Sequence, residues 1–258
     1  MIAFEKYHGA GNDFVMIDNR AQHFPKTDRN FLIHQMCDRN FGIGADGLIL
    51  LEDHPTADFE MRYFNSDGNS SSMCGNGGRC AVAFAHKLGL IQEKTHFRVN
   101  GGHYSAQVLG KEMVSLAMEA VPSVEKKATH CFLDTGSPHH VVFVSDVTTV
   151  DVVSEGRSIR YGVPYGETGT NVNFVTPLKD NHYAIRTYER GVEAETLACG
   201  TGAVAAALAI HASQQTTATS IKLEALGGLL QVDFTPDGKG YTDIYLIGPA
   251  VFVFEGTF

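Results

Sequence analysis

The tetrad Cys-Gly-x-Gly occurs twice, as Cys74-Gly75-Asn76-Gly77 and as Cys199-Gly200-Thr201-Gly202. A thiol titrates near ~8.5, so at neutral pH it is mostly protonated yet close to ionising. At a helix N-terminus the backbone N–H groups and the macrodipole favour the thiolate. Each tetrad is followed by a run that should start a helix, Gly78 to Ala85 and Ala203 to Ala209, so both cysteines stand just ahead of a helix start. The glycines let backbone N–H groups come close to a carboxylate or phosphate. With one such sulfur on each side of a substrate, one thiolate would remove a proton alpha to a carboxylate. The opposite thiol would return a proton to the other face, inverting the centre. A single Cys-Gly-x-Gly is also what a plain tight turn needs. A turn does not need cysteine twice, and the duplication favours catalysis.

Other polar residues cluster just upstream of each tetrad. Asn65 and the pair Glu189-Arg190 fall at equivalent places. Arg190 suits a bidentate grip on a substrate carboxylate, and Glu189 suits a substrate ammonium or the tuning of a thiol. The alternative is a solvated pair of loop charges contributing almost nothing. His139 is placed to alter a thiol's acidity, but a lone His with His140 beside it is equally an ordinary structural residue. The turn His8-Gly9-Ala10-Gly11-Asn12-Asp13-Phe14 precedes a strand and lacks the following helix that a dinucleotide site requires.

The elements that must position these groups repeat as well. Asp58 to Gly68 and His182 to Gly191, aligned on Arg62 and Arg186, each read as an alternating strand ending in a polar turn closed by glycine. A loop follows each, Ser-rich from Asn69 to Ser72 and acidic from Glu193 to Glu195, and then the tetrad. A repeat on this scale indicates duplicated domains rather than a solenoid. Short apolar runs predict further strands at Phe14 to Asp18, Leu48 to Leu51, Val141 to Val144 and Asn173 to Val175. Gly101 to Leu109 and Met113 to Met118 form a hairpin around Gly110-Lys111, and Asp243 to Pro249 and Val251 to Phe254 add strands. Helices are fewer: Asn30 to Arg39, one after each tetrad, and a helical turn within Val147 to Ile159. The stretch from Ala120 to Thr129 lacks a pattern, carries Pro122, and is expected to link the halves.

Composition narrows the class. A chain of 258 residues with 43% hydrophobic and 19% charged residues has ample material for one large or two modest cores. A net charge of −9 argues against nucleic acid as a partner, though not against a small anion in a local pocket. No apolar run approaches the roughly 20 residues of a membrane span. The charged N-terminus is unlike a secretory signal, so the expected location is the cytoplasm. Five cysteines without a Cys-x-x-Cys pair form neither a disulfide framework nor a zinc site, and no metal is expected. Cys37, Cys80 and Cys131 are expected to be buried small hydrophobes.

Together, His8 to Phe14, Met73-Cys74-Gly75-Asn76-Gly77-Gly78-Arg79-Cys80, Glu189-Arg190-Gly191 and Ala198-Cys199-Gly200-Thr201-Gly202 closely resemble diaminopimelate epimerase. The likeness runs from Lys6 to Phe254. It implies an α/β (α+β) fold of two similar pseudo-symmetric domains, each a strand-rich sheet wrapped around a central helix, with the active site in the cleft between them. The domains would be 1–119 with the C-terminal strand 249–258, and 120–248. The resemblance implies interconversion of LL- and meso-2,6-diaminopimelate in lysine and peptidoglycan-precursor synthesis, by a homodimer, without pyridoxal phosphate, metal or any other cofactor. By motif, Cys74 and Cys199 would be the acid/base thiols, and His139 and Glu189 would tune them. Asn12, Asn65, Gly75, Asn76, Asn171, Glu189, Arg190, Gly200 and Thr201 would bind substrate.

Three positions depart from the family pattern: Ser137 where Asn is frequent, Gly47 where Gln is frequent, and one extra residue between Glu189 and Cys199. All three bear on how the distal end of a substrate is held. Two rival readings stand beside this one. One is a racemase of the same architecture acting on proline, hydroxyproline or another amino acid. The other is a non-catalytic small-anion binder or thiol redox sensor.

Overall fold

The computed structural model describes all 258 residues. Its chain divides into two compact units, Met1–Leu116 with Gly248–Phe258, and Ala117–Ile247. The fold is mixed α+β, rich in strands and poor in helices. In order, the first stretch runs β1 (Ala3–Gly9), β2 (Asn12–Asp18), α1 (Arg29–Cys37), β3 (Gly47–Glu52), β4 (Phe59–Asn65), α2 (Gly75–Lys87), β5 (Lys94–Val99), β6 (Gly102–Gly110) and β7 (Met113–Met118). Then come β8 (Glu125–Lys126), β9 (Cys131–Asp134), β10 (Pro138–Phe143), α3 (Val152–Tyr161), β11 (Asn171–Lys179), β12 (His182–Glu189), β13 (Ala194–Thr196) and α4 (Gly200–Ala212). The chain ends with β14 (Ser220–Ala225), β15 (Gly228–Asp237), β16 (Gly240–Pro249) and β17 (Val251–Thr257).

The two units repeat one pairing scheme. In the first, β2 runs parallel to β3, β3 antiparallel to β4, β4 parallel to β5 and β5 antiparallel to β6. In the second, β10, β11, β12, β14 and β15 repeat the same four pairings in the same order. Leu50 faces Arg62 across β3 and β4, and Phe174 faces Arg186 across β11 and β12, so the alignment on the two arginines holds residue by residue. Both turns beyond these strands contain a left-handed glycine, Gly68 and Gly191.

Each unit wraps its strands around one helix. α2 packs on β1, β2, β3, β4 and β6, while α4 packs on β9, β10, β11, β12, β14 and β15. From Ala203 to Ile210 every residue of α4 is buried, and a helix apolar on all sides can only be a core helix. Five of those eight residues are alanine, which lets the strands approach the helix axis closely while keeping high helix propensity. The second layer is supplied by α1, whose Ile33, Met36 and Cys37 pack with Val15, Ile17, Leu48, Leu50 and Phe64. In the other unit Val152 and Ile159 of α3 pack with Val172, Phe174 and Tyr188.

Three expectations need correction. Residues 120–129 are not a patternless linker: Val121 is buried and bridges Tyr241, and Glu125–Lys126 pair with Cys131 and Phe132. The acidic stretch Glu193–Glu195 is not simply a loop, because Ala194–Thr196 pair with β12 and Glu195 holds Arg186 at 2.6 Å. The helical turn within Val147 to Ile159 is a short 3-10 turn followed by a full helix reaching Tyr161, started by Asp151 accepting from the Ser154 N–H.

If the small side chains of α4 set the spacing of the strands around it, enlarging one must overpack the core. Ala206, fully buried, is the test position. Ala206→Leu should lower stability by about 1–3 kcal/mol, read as a lower urea midpoint at unchanged slope. An unchanged midpoint would mean that α4 is not tightly enclosed.

Candidate active site

The strand–turn–helix passage puts each cysteine at the same backbone position. Cys74 caps α2 with φ −111° and ψ 122°, and Cys199 caps α4 with φ −109° and ψ 116°. The Cys74 carbonyl accepts from the Gly78 N–H at 2.8 Å, and the Cys199 carbonyl accepts from the Ala203 N–H at 2.9 Å. The first-turn residues Gly75-Asn76 and Gly200-Thr201 therefore lie where helix N–H groups point outward beyond the helix end.

Around Cys74 the polar groups form a chain with a cation at one end and carboxylates at the other. Arg79, one turn into α2, is fully buried. It donates to Asn76 Oδ1 at 2.7 Å, to the Gly75 carbonyl at 3.2 Å and to the Pro249 carbonyl at 3.4 Å. Burial pushes its guanidinium below the usual range, and nearby Cys80 and Cys74 act in the opposite sense. Asn76 Nδ2 donates to Asn12 Oδ1 at 3.3 Å, and the Cys74 thiol donates to the same oxygen at 3.5 Å. Asn12 Nδ2 donates in turn to Asp46 Oδ2 at 2.6 Å. Asp46 and Asp13 are held by Arg39 at 2.7 and 2.8 Å, and Lys6 lies 2.7 Å from Asp13. Burial would raise Asp13, but the bonds from Arg39 and Lys6 outweigh it and hold it at about 2.

Around Cys199 the surroundings are of another kind. Its sulfur accepts from the Gly202 N–H at 3.4 Å and lies 3.5 Å from the Thr201 hydroxyl. A Cβ on Gly202 would sit 2.4 Å from Asn173 Oδ1, so only glycine allows β11 to press its Asn173 amide against this helix turn. His139 is fully buried between Ser137 Oγ at 3.1 Å and Asn173 Nδ2 at 3.1 Å. Burial, then the charge of Arg190, pushes its imidazole down to about 3. Asn171 donates to Ser137 Oγ and the Pro138 carbonyl, and its Oδ1 accepts from the Arg190 N–H. Glu189 accepts from Thr196 Oγ1, and the Arg190 side chain donates to the Thr168 carbonyl at 3.0 Å.

The structure thus gathers Cys74, Gly75, Asn76 and Asn12 in one network, and Cys199, Gly200, Thr201, His139, Asn171 and Arg190 around the other thiol. Asn65 is not drawn into the first network. It ends β4 exposed, opposite Gly47, with its N–H bonded to the Asn69 carbonyl. Gly47 has no room for a side chain, because a Cβ there would lie 2.4 Å from the Phe64 carbonyl and 2.6 Å from the Tyr63 ring. Cys37, Cys80 and Cys131 are buried, as expected. Burial pushes the Cys37 and Cys80 thiols up to about 12, so neither is a base at neutral pH.

Sequence reasoning missed Asp46, Arg79, Asn173 and Thr187, whose hydroxyl donates to Asn173 Oδ1. Asn173 had a signal, since Asn171 and Asn173 share one face of a strand whose neighbouring residues Val172, Phe174 and Val175 are apolar. Arg79 had one too: an arginine among small residues, three and four positions after Asn76 and Gly75, where a helix brings side chains together.

The diaminopimelate epimerase family profile matches residues 4–122 and again 131–253. A diaminopimelate epimerase of Flavobacterium psychrophilum is 52% identical over 252 residues, covering 98% of both chains. One of Chlorobaculum tepidum is 46% identical, covering 96% of this chain and 98% of the relative. Among solved structures, a PhzF-family phenazine biosynthesis protein of Bacillus anthracis shares the fold with a TM-score of 0.76 at 16% identity, covering 100% of this chain and 98% of that one.

The buried imidazoles set a pH dependence. His139 is pushed to about 3 and His140 to about 4, in both cases chiefly by burial, against about 6.5 in the unfolded chain. The unfolded state then binds more protons below pH 6.5, so this stabilisation is complete above 6.5 and is lost as pH falls toward 3. Carboxylates lose theirs mostly below about pH 5, which leaves pH 6.5 to 5 to the histidines. The melting temperature should fall across that window, and His139→Gln should make the slope shallower whatever its own stability. An unchanged slope would contradict the assignment.

Proposed function

Because this chain belongs to the diaminopimelate epimerase family, a family of isomerases, we propose that it converts LL-2,6-diaminopimelate to the meso form by a two-base thiolate/thiol mechanism, in lysine and peptidoglycan-precursor biosynthesis. The observation that carries the reading is the twin placement of Cys74 and Cys199. Two sulfurs share one backbone conformation at the N-caps of two buried helices in equivalent positions of a duplicated fold.

The chemistry balances without an added reagent. One thiolate takes the proton from the α-carbon, forming an S–H bond as the C–H pair moves into the carboxylate. The negative charge that grows on the carboxylate oxygens is met by first-turn N–H groups at Gly75-Asn76 and Gly200-Thr201, where the helix dipole also favours it. The second cysteine releases its proton to the opposite face of the same carbon and becomes the thiolate. One S–H is made and one is broken. The reading requires that both sulfurs reach one α-carbon from opposite faces.

Asn12, Asn76, Asn171, Glu189 and Arg190 supply the complementary set for an amino-acid head: amide donors and acceptors, a carboxylate for an ammonium and a guanidinium for a carboxylate. Asn65, exposed at the end of β4, is available as a further amide contact. Glu189 ends β12 and Arg190 opens the turn after it, so the strand end and its turn present one group of each sign.

Purified chain incubated with LL-diaminopimelate should produce the meso isomer. Cys74→Ala and Cys199→Ala should each lower turnover at least 10²–10⁴-fold, the scale of losing a positioned acid or base. Near-normal turnover by either variant would overturn the two-thiol mechanism, and no epimerisation by the unaltered chain would overturn the substrate.

A further inference from the structure

The two sulfurs sit in hydrogen-bond networks of opposite polarity, and the direction of each bond follows from groups whose role is fixed. At Cys74 the anchor is Asp46. Its carboxylate accepts from Asn12 Nδ2 and the Asp13 N–H, while its other oxygen accepts from Arg39. A carboxylate facing Asn12 Nδ2 leaves Asn12 Oδ1 as the atom turned toward Cys74. Arg79 strengthens the same arrangement, because a guanidinium only donates. It holds Asn76 Oδ1 and so turns Asn76 Nδ2 toward Asn12 Oδ1. Cys74 therefore meets an acceptor, which suits S–H and opposes S⁻.

At Cys199 the anchors are backbone carbonyls. Asn173 Nδ2 donates to the His140 carbonyl, and Asn173 Oδ1 accepts from the Thr187 hydroxyl at 3.0 Å. Nδ2 therefore faces His139 Nδ1, which must accept, and the imidazole proton lies on Nε2, 3.1 Å from Ser137 Oγ. Asn171 Nδ2, fixed by the Pro138 carbonyl, also donates to Ser137 Oγ. With two donors upon it, Ser137 passes its own proton toward Thr201 Oγ1 at 3.5 Å. Thr201 is then left to donate to Cys199 Sγ, which already receives the Gly202 N–H. Cys199 meets donors, which suits S⁻.

We infer that in the substrate-free protein the thiolate rests on Cys199 and the proton on Cys74, with Asp46 and Ser137 as positioning residues that set this asymmetry through Asn12 and Thr201. The inference rests on the two-thiol reading for its meaning in catalysis, but its test needs no substrate. Other charges surround both thiols. Arg79 and Cys80 lie within electrostatic reach of Cys74, and Asp13, Arg39, Lys6 and His8 stand on the strands and loop beside Asn12. His139 is neutral beside Arg190, and Glu189, the residue before Arg190, ends β12. Arg79 acts against the assignment by favouring a thiolate at Cys74. Asn12 Oδ1 acts for it, in direct contact with the sulfur.

The experiment is alkylation by iodoacetamide from pH 5 to 10, with each cysteine peptide followed by mass spectrometry. The midpoint of each profile is compared rather than the rate, since Cys199 is the more enclosed. Cys199 should show the lower midpoint. Thr201→Val should raise it by about one pH unit, the scale of one hydrogen bond to a charged group, and Thr201→Ser should restore it. Asp46→Asn should lower the Cys74 midpoint by releasing the Asn12 amide to turn. That shift should persist in 0.5 M salt, which screens the loss of an exposed charge but not an amide's orientation. A Cys74 midpoint at or below that of Cys199 overturns the assignment. The expected order with unmoved variants, or an Asp46→Asn shift that vanishes in salt, overturns the hydrogen-bond cause. Failure of epimerase activity alone would leave these midpoints unaffected and would bear only on the substrate.

Discussion

A cysteine capping the N-terminus of a largely buried helix is the constraint from which each unit is built. The helix N-terminus lowers the cost of negative charge on sulfur and on a nearby carboxylate at once. It does so only if the helix end is held still, and the strands wrapped around α2 and α4 do the holding. Small residues along α4 make the enclosure close, and the tight passage from β4 and β12 delivers each sulfur in the same backbone conformation. The sheet, the second-layer helices α1 and α3 and the ion pairs of Arg62 with Glu52 and of Arg186 with Glu195, each at 2.6 Å, all serve to fix those two strand ends.

Duplication made two similar frames, and their contents then diverged. Register places Phe14, Ile49 and Tyr63 of the first unit where the second has His139, Asn173 and Thr187. The first unit therefore packs apolar side chains beneath its cysteine turn, with the Phe14 and Tyr63 rings edge to face at 5.7 Å. The second packs a neutral imidazole, an amide and a hydroxyl there. Gly47 corresponds to Asn171 in this alignment, and the Tyr63 ring fills the space a side chain at Gly47 would need. The missing polar contact at Gly47 is thus part of the same apolar substitution. Polarity near Cys74 comes instead from outside the frame, through the β1–β2 turn, Asp46 and Arg79.

Much of this was legible in the residues. The tetrads, the glycine-closed turns and the arginine-centred strands gave the duplication, because helix starts and turns are written locally. The strands β2, β3, β10, β11, β16 and β17 announced themselves by apolar runs. Others did not: β1 carries Glu5 and Lys6, and Lys6 is buried only because Asp13 and the Gly44 carbonyl receive it. β13 read as an acidic loop because its pairing depends on Arg186, nine residues away. The site was legible where a motif is contiguous and opaque where it is assembled. Asp46 reaches Asn12 across 34 residues, and Asn173 reaches His139 across the same separation. Such contacts are made by strand register, which no local pattern encodes.

The central claim is that two separate groups, one for each face of the carbon, carry the proton. It is tested most directly by running the reaction on LL-diaminopimelate in deuterated water and stopping at low conversion. The account predicts deuterium at the inverted α-carbon of the meso product while the remaining LL substrate stays protiated, because the proton that arrives comes from a different sulfur than the one that removes it. Deuterium entering the remaining substrate as fast as the product would mean a single shared base, and would contradict the account.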